Sequence, residues 1–137
     1  MDPVRVVLGS CEVVGDKATG RAPARLDVSA SRGQPVDLVL VCGIAERSRQ
    51  NEAWGFRLEA TFAGGPSVVA TRETRDLPLA SQNEHGELVE RVVFDRAGRH
   101  EGQIVMRATY ARGPWLGSGP EPVSAWEHRG KLVVNVS

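Results

Sequence analysis

The chain has 137 residues, 41% hydrophobic and 25% charged, the length and composition of one domain with enough apolar surface to fold alone. Its 17 basic residues balance 17 acidic ones, so no net field gathers nucleic acid or an anionic membrane, and both are disfavoured as partners. No stretch is apolar enough to cross a bilayer, and Met1-Asp2-Pro3-Val4-Arg5 is not the start of a signal peptide; a cytoplasmic protein is expected unless an export signal was removed ahead of this start.

Hydrophobic residues recur with a period of two along most of the chain, the signature of strands with one buried and one wet face. The first apolar piece, Val4 to Val14, changes phase near Gly9 and Ser10, since Val4, Val6 and Leu8 give way to Cys11 and Val13, and a bulge or a switch of sheet is expected there. Alternation then marks Leu26, Val28 and Ala30, followed by Val36, Leu38, Leu40, Cys42 and Ile44. It is clearest from Trp54 to Phe62, where Trp54, Phe56, Leu58, Ala60 and Phe62 interleave with Gly55, Arg57, Glu59 and Thr61. A short piece follows at Val68 to Thr71, then Leu88, Val92 and Phe94, then Ile104, Met106, Ala108 and Tyr110, and last Leu132, Val134 and Val136. Turn clusters at 15–20, 31–35, 64–66, 97–102 and 113–122 separate these pieces. About seven or eight short strands with regular turns describe a sandwich or a barrel.

Three landmarks resemble the immunoglobulin fold. The run Gly33-Gln34-Pro35-Val36-Asp37-Leu38-Val39-Leu40-Val41-Cys42 looks like the approach to its second strand, with Cys42 at the inward cysteine position. Trp54 suits its core tryptophan, and Asp95-Arg96-Ala97-Gly98-Arg99-His100 looks like the corner leading into its sixth strand. His100 replaces the corner tyrosine, and Gly102 stands where the resemblance would put a disulfide partner for Cys42, so no inter-sheet disulfide is implied. The expected fold is all-β: an immunoglobulin-like antiparallel β-sandwich of seven or eight strands with an extra N-terminal strand, forming one domain over residues 1–137 with 1–24 peripheral.

That topology would gather three loops at one end, 45–53, 76–86 and 112–129. The third is long and rich in Gly and Pro, and it carries Trp115, Leu116, Trp126 and His128. Tryptophans offer rigid contact area for a protein or a sugar, and Glu46, Arg47, Arg49, Gln50 and Asn51 of the first loop would add hydrogen-bonding groups beside them. Against this stands the bland possibility that both tryptophans fold back to cap the core.

Signals of catalysis are sparse. Each histidine has an adjacent glutamate (Glu84-His85, His100-Glu101, Glu127-His128), but the expected topology puts His100 at the opposite end from the other two, so no metal site and no cofactor are expected. Cys42 falls in the inward phase, where a thiol is inert, and Cys11 has no nearby basic group to activate it; both are expected as free thiols. No Gly-x-Ser-x-Gly elbow or phosphate loop is present, and the arginines lie scattered among acids. The favoured expectation is a non-catalytic binding module whose partner is a protein, or next a carbohydrate. Two alternatives stay open: a small β-barrel enzyme, a cyclase or isomerase with an apolar substrate in its interior, for which Glu90 is the clearest inward polar residue, and a subunit of a homo-oligomeric assembly pairing through sheet edges or the N-terminal strand.

Overall fold

Alternating burial carries through from sequence to structure: in the computed structural model, which describes residues 1–47, 52–75, 84–112 and 123–137, the apolar members of the period-two runs face one another between two sheets. Nine strands are present among the described residues: β1 (Val4–Gly15), β2 (Lys17–Arg21), β3 (Arg25–Ala30), β4 (Pro35–Arg47), β5 (Glu52–Phe62), β6 (Ser67–Arg75), β7 (Glu84–Val93), β8 (Gly98–Arg112) and β9 (Val123–Val136). One sheet has the order β2-β1-β4-β7 and the other β3-β9-β8-β5-β6, and no helix among the described residues is long and apolar enough to cross a membrane. The fold is an all-β sandwich.

Two features depart from a wholly antiparallel arrangement. β1 pairs with β4 in parallel, and β3 pairs with β9 in parallel. Parallel neighbours need long crossovers, and here the chain supplies them: β2 and β3 lie between β1 and β4, and most of the molecule lies between β3 and β9. The N-terminal segment is correspondingly not peripheral. β1 lies inside its sheet between β2 and β4 and contributes Val6, Leu8, Cys11 and Val13 to the core, each at most 4% exposed. The phase change in β1 is a bulge, with the register stepping from Val7↔Val39 to Gly9↔Leu40 so that Leu8 and Gly9 are both buried. Gly15, at φ 66°, opens the tight turn that returns the chain into β2.

The core is filled by apolar side chains. Trp54, Leu38, Leu40, Ile44, Leu58, Met106 and Leu132 are essentially inaccessible, and Phe62 meets Phe94 edge to face at 5.0 Å. Burying one such side chain is worth about 1.5–3 kcal/mol, so this layer dominates the stability of the fold. Gly102 lies within it against Phe62: a Cβ there would come to 2.5 Å from the phenylalanine ring, which fills the space a side chain would occupy. At the corner before β8, His100 Nε2 donates to the Arg96 carbonyl oxygen at 2.8 Å, and its ring lies 4.6 Å from that of Phe94.

Candidate functional site

Strand registers fix which ends meet. Glu52 is opposite Arg112, Ala53 opposite Arg75, Ile44 opposite Glu84, and Tyr110 opposite Val123. The strand termini that bracket segments 48–51, 76–83 and 113–122 therefore share one end of the sandwich. Arg49, Asn51, Trp115 and Leu116 fall in those segments and lie outside the described residues. Arg47 is the last residue of β4.

Trp126 and His128 are in strand β9, not in a loop. Sequence reading missed this because Ser124 to Arg129 has no apolar alternation. Its strand character comes from β8, whose fifteen residues provide pairing partners up to Val123, past a bulge at Ala125. Trp126 is half-buried and its indole lies on Gly20 of β2, where a Cβ would come to 2.2 Å of the ring, so only glycine leaves room for it. His128 stacks on Trp126 with ring planes 11° apart and donates from Nε2 to the Pro23 carbonyl oxygen at 3.1 Å. The pair packs the β1–β2 hairpin onto β9 where the chain crosses between the sheets.

A second cluster lies in the core toward the same end. Cys42 has Cys11 as its register partner in β1 and Gly86 as its partner in β7. The missing side chain at Gly86 admits the Arg72 guanidinium, which reaches over from β6 of the other sheet; a Cβ at Gly86 would come to 1.4 Å of Arg72 Nη1. Burial pushes the Cys11 thiol up to about 12, reinforced by the neighbouring Cys42. Burial also pushes Cys42 up, to about 11, with the Arg72 charge and a backbone hydrogen bond from Leu88 working against it. The Cys42 thiol donates to the Leu40 carbonyl oxygen at 3.7 Å. Close by, Trp54 stacks obliquely on Tyr110 at 5.0 Å, and its Nε1 is a buried donor with no hydrogen-bond partner among the described residues.

The outer faces hold shallow hollows where a glycine interrupts a row of outward side chains. One, of about 520 Å³, lies by Gly43 and is lined by Ser10, Glu12, Thr19, Arg21 and Val41. Another, of about 350 Å³, lies by Gly55 between Arg57, Thr71, Glu73 and Arg107. Glu90, in the inward phase of the edge strand β7, is half-buried, and an inward charge on an edge strand discourages pairing with another chain. Among the described residues no three of His, Cys, Asp and Glu converge as a metal-ligand set.

No protein-family model matches the chain, and no curated protein matches it. Among solved structures it is similar to the solution structure of Amebosin, at 15% identity over 82% of this chain and 96% of that one, with a TM-score of 0.30. That likeness is too slight to carry an argument.

Proposed function

We propose that the chain is a non-catalytic binding module of immunoglobulin-like architecture, whose partner is another protein engaged at the end that bears segments 48–51, 76–83 and 113–122. The observation that carries this reading is the shared end of the bracketing strand termini, set by the pairs Glu52↔Arg112, Ala53↔Arg75 and Ile44↔Glu84. A rigid sandwich that gathers several connecting segments at one end is a common way to present a binding surface. Trp115, Leu116, Arg49 and Asn51 are the contact residues of this reading, with Arg47, the last residue of β4, and Trp126 and His128 of β9 as further candidates.

Support for the immunoglobulin-like arrangement comes from the inaccessible Trp54 in β5, and from His100, whose hydrogen bond to the carbonyl four residues upstream is the one a corner tyrosine makes in that fold. The parallel run of β3 beside the last strand adds to it.

The test is to identify the partner by crosslinking and then measure its Kd with Trp115→Ala. A loss of roughly 30-fold or more, with circular dichroism and Tm unchanged, is expected of an interfacial tryptophan. An unchanged Kd for both Trp115→Ala and Arg49→Ala moves the interface elsewhere.

A further inference from the structure

Cys11 and Cys42 are the only two cysteines in the chain, and the fold sets them opposite each other on adjacent strands. Both occupy inward positions, 4% and 3% exposed, and both are free. Register partners on neighbouring strands have Cα atoms roughly 4.8 Å apart, inside the range of about 4.4–6.8 Å that a disulfide spans. Their side chains leave the same face of the sheet, so both sulfurs lie on its core side. We infer that Cys11 and Cys42 are a dithiol–disulfide couple that closes into an intrasheet bond locking β1 onto β4.

The oxidant is a small disulfide such as oxidised glutathione. The Cys42 thiolate attacks one sulfur of the glutathione disulfide. A mixed disulfide forms and one glutathione thiolate leaves. The Cys11 thiolate then attacks the Cys42 sulfur, the Cys11–Cys42 bond forms, and the second glutathione leaves. Two electrons pass from the protein thiols to glutathione, and the two thiol protons end on the released glutathione. Burial slows this in the folded state, because both thiols are held protonated within the core. Closure therefore accompanies folding or a transient opening of β1. The closed loop takes in β2, β3 and the turn before β4, and so ties the N-terminal hairpin to the sandwich.

Reduced protein is equilibrated with graded ratios of oxidised to reduced glutathione, once in native buffer and once in concentrated guanidinium chloride, then acid-quenched, alkylated and weighed. The expected product in native buffer is monomeric, two mass units lighter, with no retained glutathione. A bond across a loop of about thirty residues that suits the fold should have an equilibrium constant about 100-fold larger in native buffer than in denaturant. Its Tm should rise by roughly 10 °C, a rise that Cys11→Ala and Cys42→Ala do not show under the same buffers. A ratio below about tenfold, retained glutathione adducts, or a bond between two chains overturns the inference. The ratio is read on the unmodified chain, so it stands whether or not the alanine variants fold.

Discussion

The outer faces of the two sheets solve one problem in different ways. Each has an outward valine in an interior strand that is nevertheless buried: Val39 of β4 at 0% exposure and Val133 of β9 at 1%. Val39 is flanked across the sheet by Val7 and Val89, themselves 45% exposed, and among the described residues the ion pairs near it are Arg5 with Glu87 and Arg91 with Asp37. Val133 lies between Glu101 and Asp27, within a charged lattice in which Arg99 and Lys131 hold Glu101 and Arg25 holds Asp27. The same face continues with Glu127 shared by Arg107 and Arg129. Long charged side chains cover apolar surface with their stems while their heads remain in water. One sheet therefore shields its central valine with hydrocarbon and the other with solvated ion pairs, so burial alone does not say what a position tolerates.

Substitutions at the two valines break the comparison most sharply. Val39→Asp puts a carboxylate among valines and beside Asp37, whose arginine is already engaged, and should cost about 3 kcal/mol or more in urea unfolding. The near-isosteric pair Val39→Thr and Val133→Thr isolates the neighbours from the size. A hydroxyl at 39 has valines on both sides and should cost about 2 kcal/mol, whereas one at 133 can donate to Glu101 or Asp27 and should cost under about 1 kcal/mol. Equal costs would mean that the lateral neighbours do not matter.

Acid titration sharpens the comparison further. Hydrogen bonding to Arg91 holds the Asp37 carboxyl below its usual range, Arg5 does the same for Glu87, Lys131 for Glu101, Arg25 for Asp27 and Arg107 for Glu127. Each depressed carboxyl adds stability that is full above the unfolded pKa of about 4 and is lost as pH falls through the lower folded value. Tm should hold from neutral pH down to about 5 and fall below about 4. Replacing Asp37 and Glu87 by their amides should flatten that fall less than replacing Asp27, Glu101 and Glu127, because the second face carries more of the pairs. At the alkaline end the sign reverses. The raised Cys11 and Cys42 pKa values mean that the unfolded chain ionises first, so stability declines as pH climbs from about 9 towards about 12 in the reduced protein. The smallest effect is expected for Arg57→Ala, which removes one exposed pair with Glu59 and should lie within about 0.5 kcal/mol.

Much of the fold was readable from side-chain alternation. Trp54 to Phe62 reads as a strand because every second residue is apolar, and the bulge in β1 shows as a phase slip between Leu8 and Cys11. The first half of β9 was not readable: Trp126 and His128 were expected in a loop, since a strand whose pairing comes from a longer neighbour needs no apolar pattern of its own. The buried Val39 and Val133 also escaped, because alternation assigns them to water and only their lateral neighbours remove them from it.

The sequence by itself determined an all-β chain and which residues point inward; its turn clusters at 31–35 and 64–66 mark turns, whereas most of those at 15–20 and 97–102 belong to strands β2 and β8. Only the tertiary structure decided the parallel pairing of β1 with β4, the crossing of the β1–β2 hairpin over Trp126, and the meeting of Cys11 with Cys42. Periodicity is a local property that any face-preserving shift of register satisfies equally well. Which strands become neighbours is set by the joint packing of all nine, and that packing brings together residues whose own surroundings in the chain give no sign of each other.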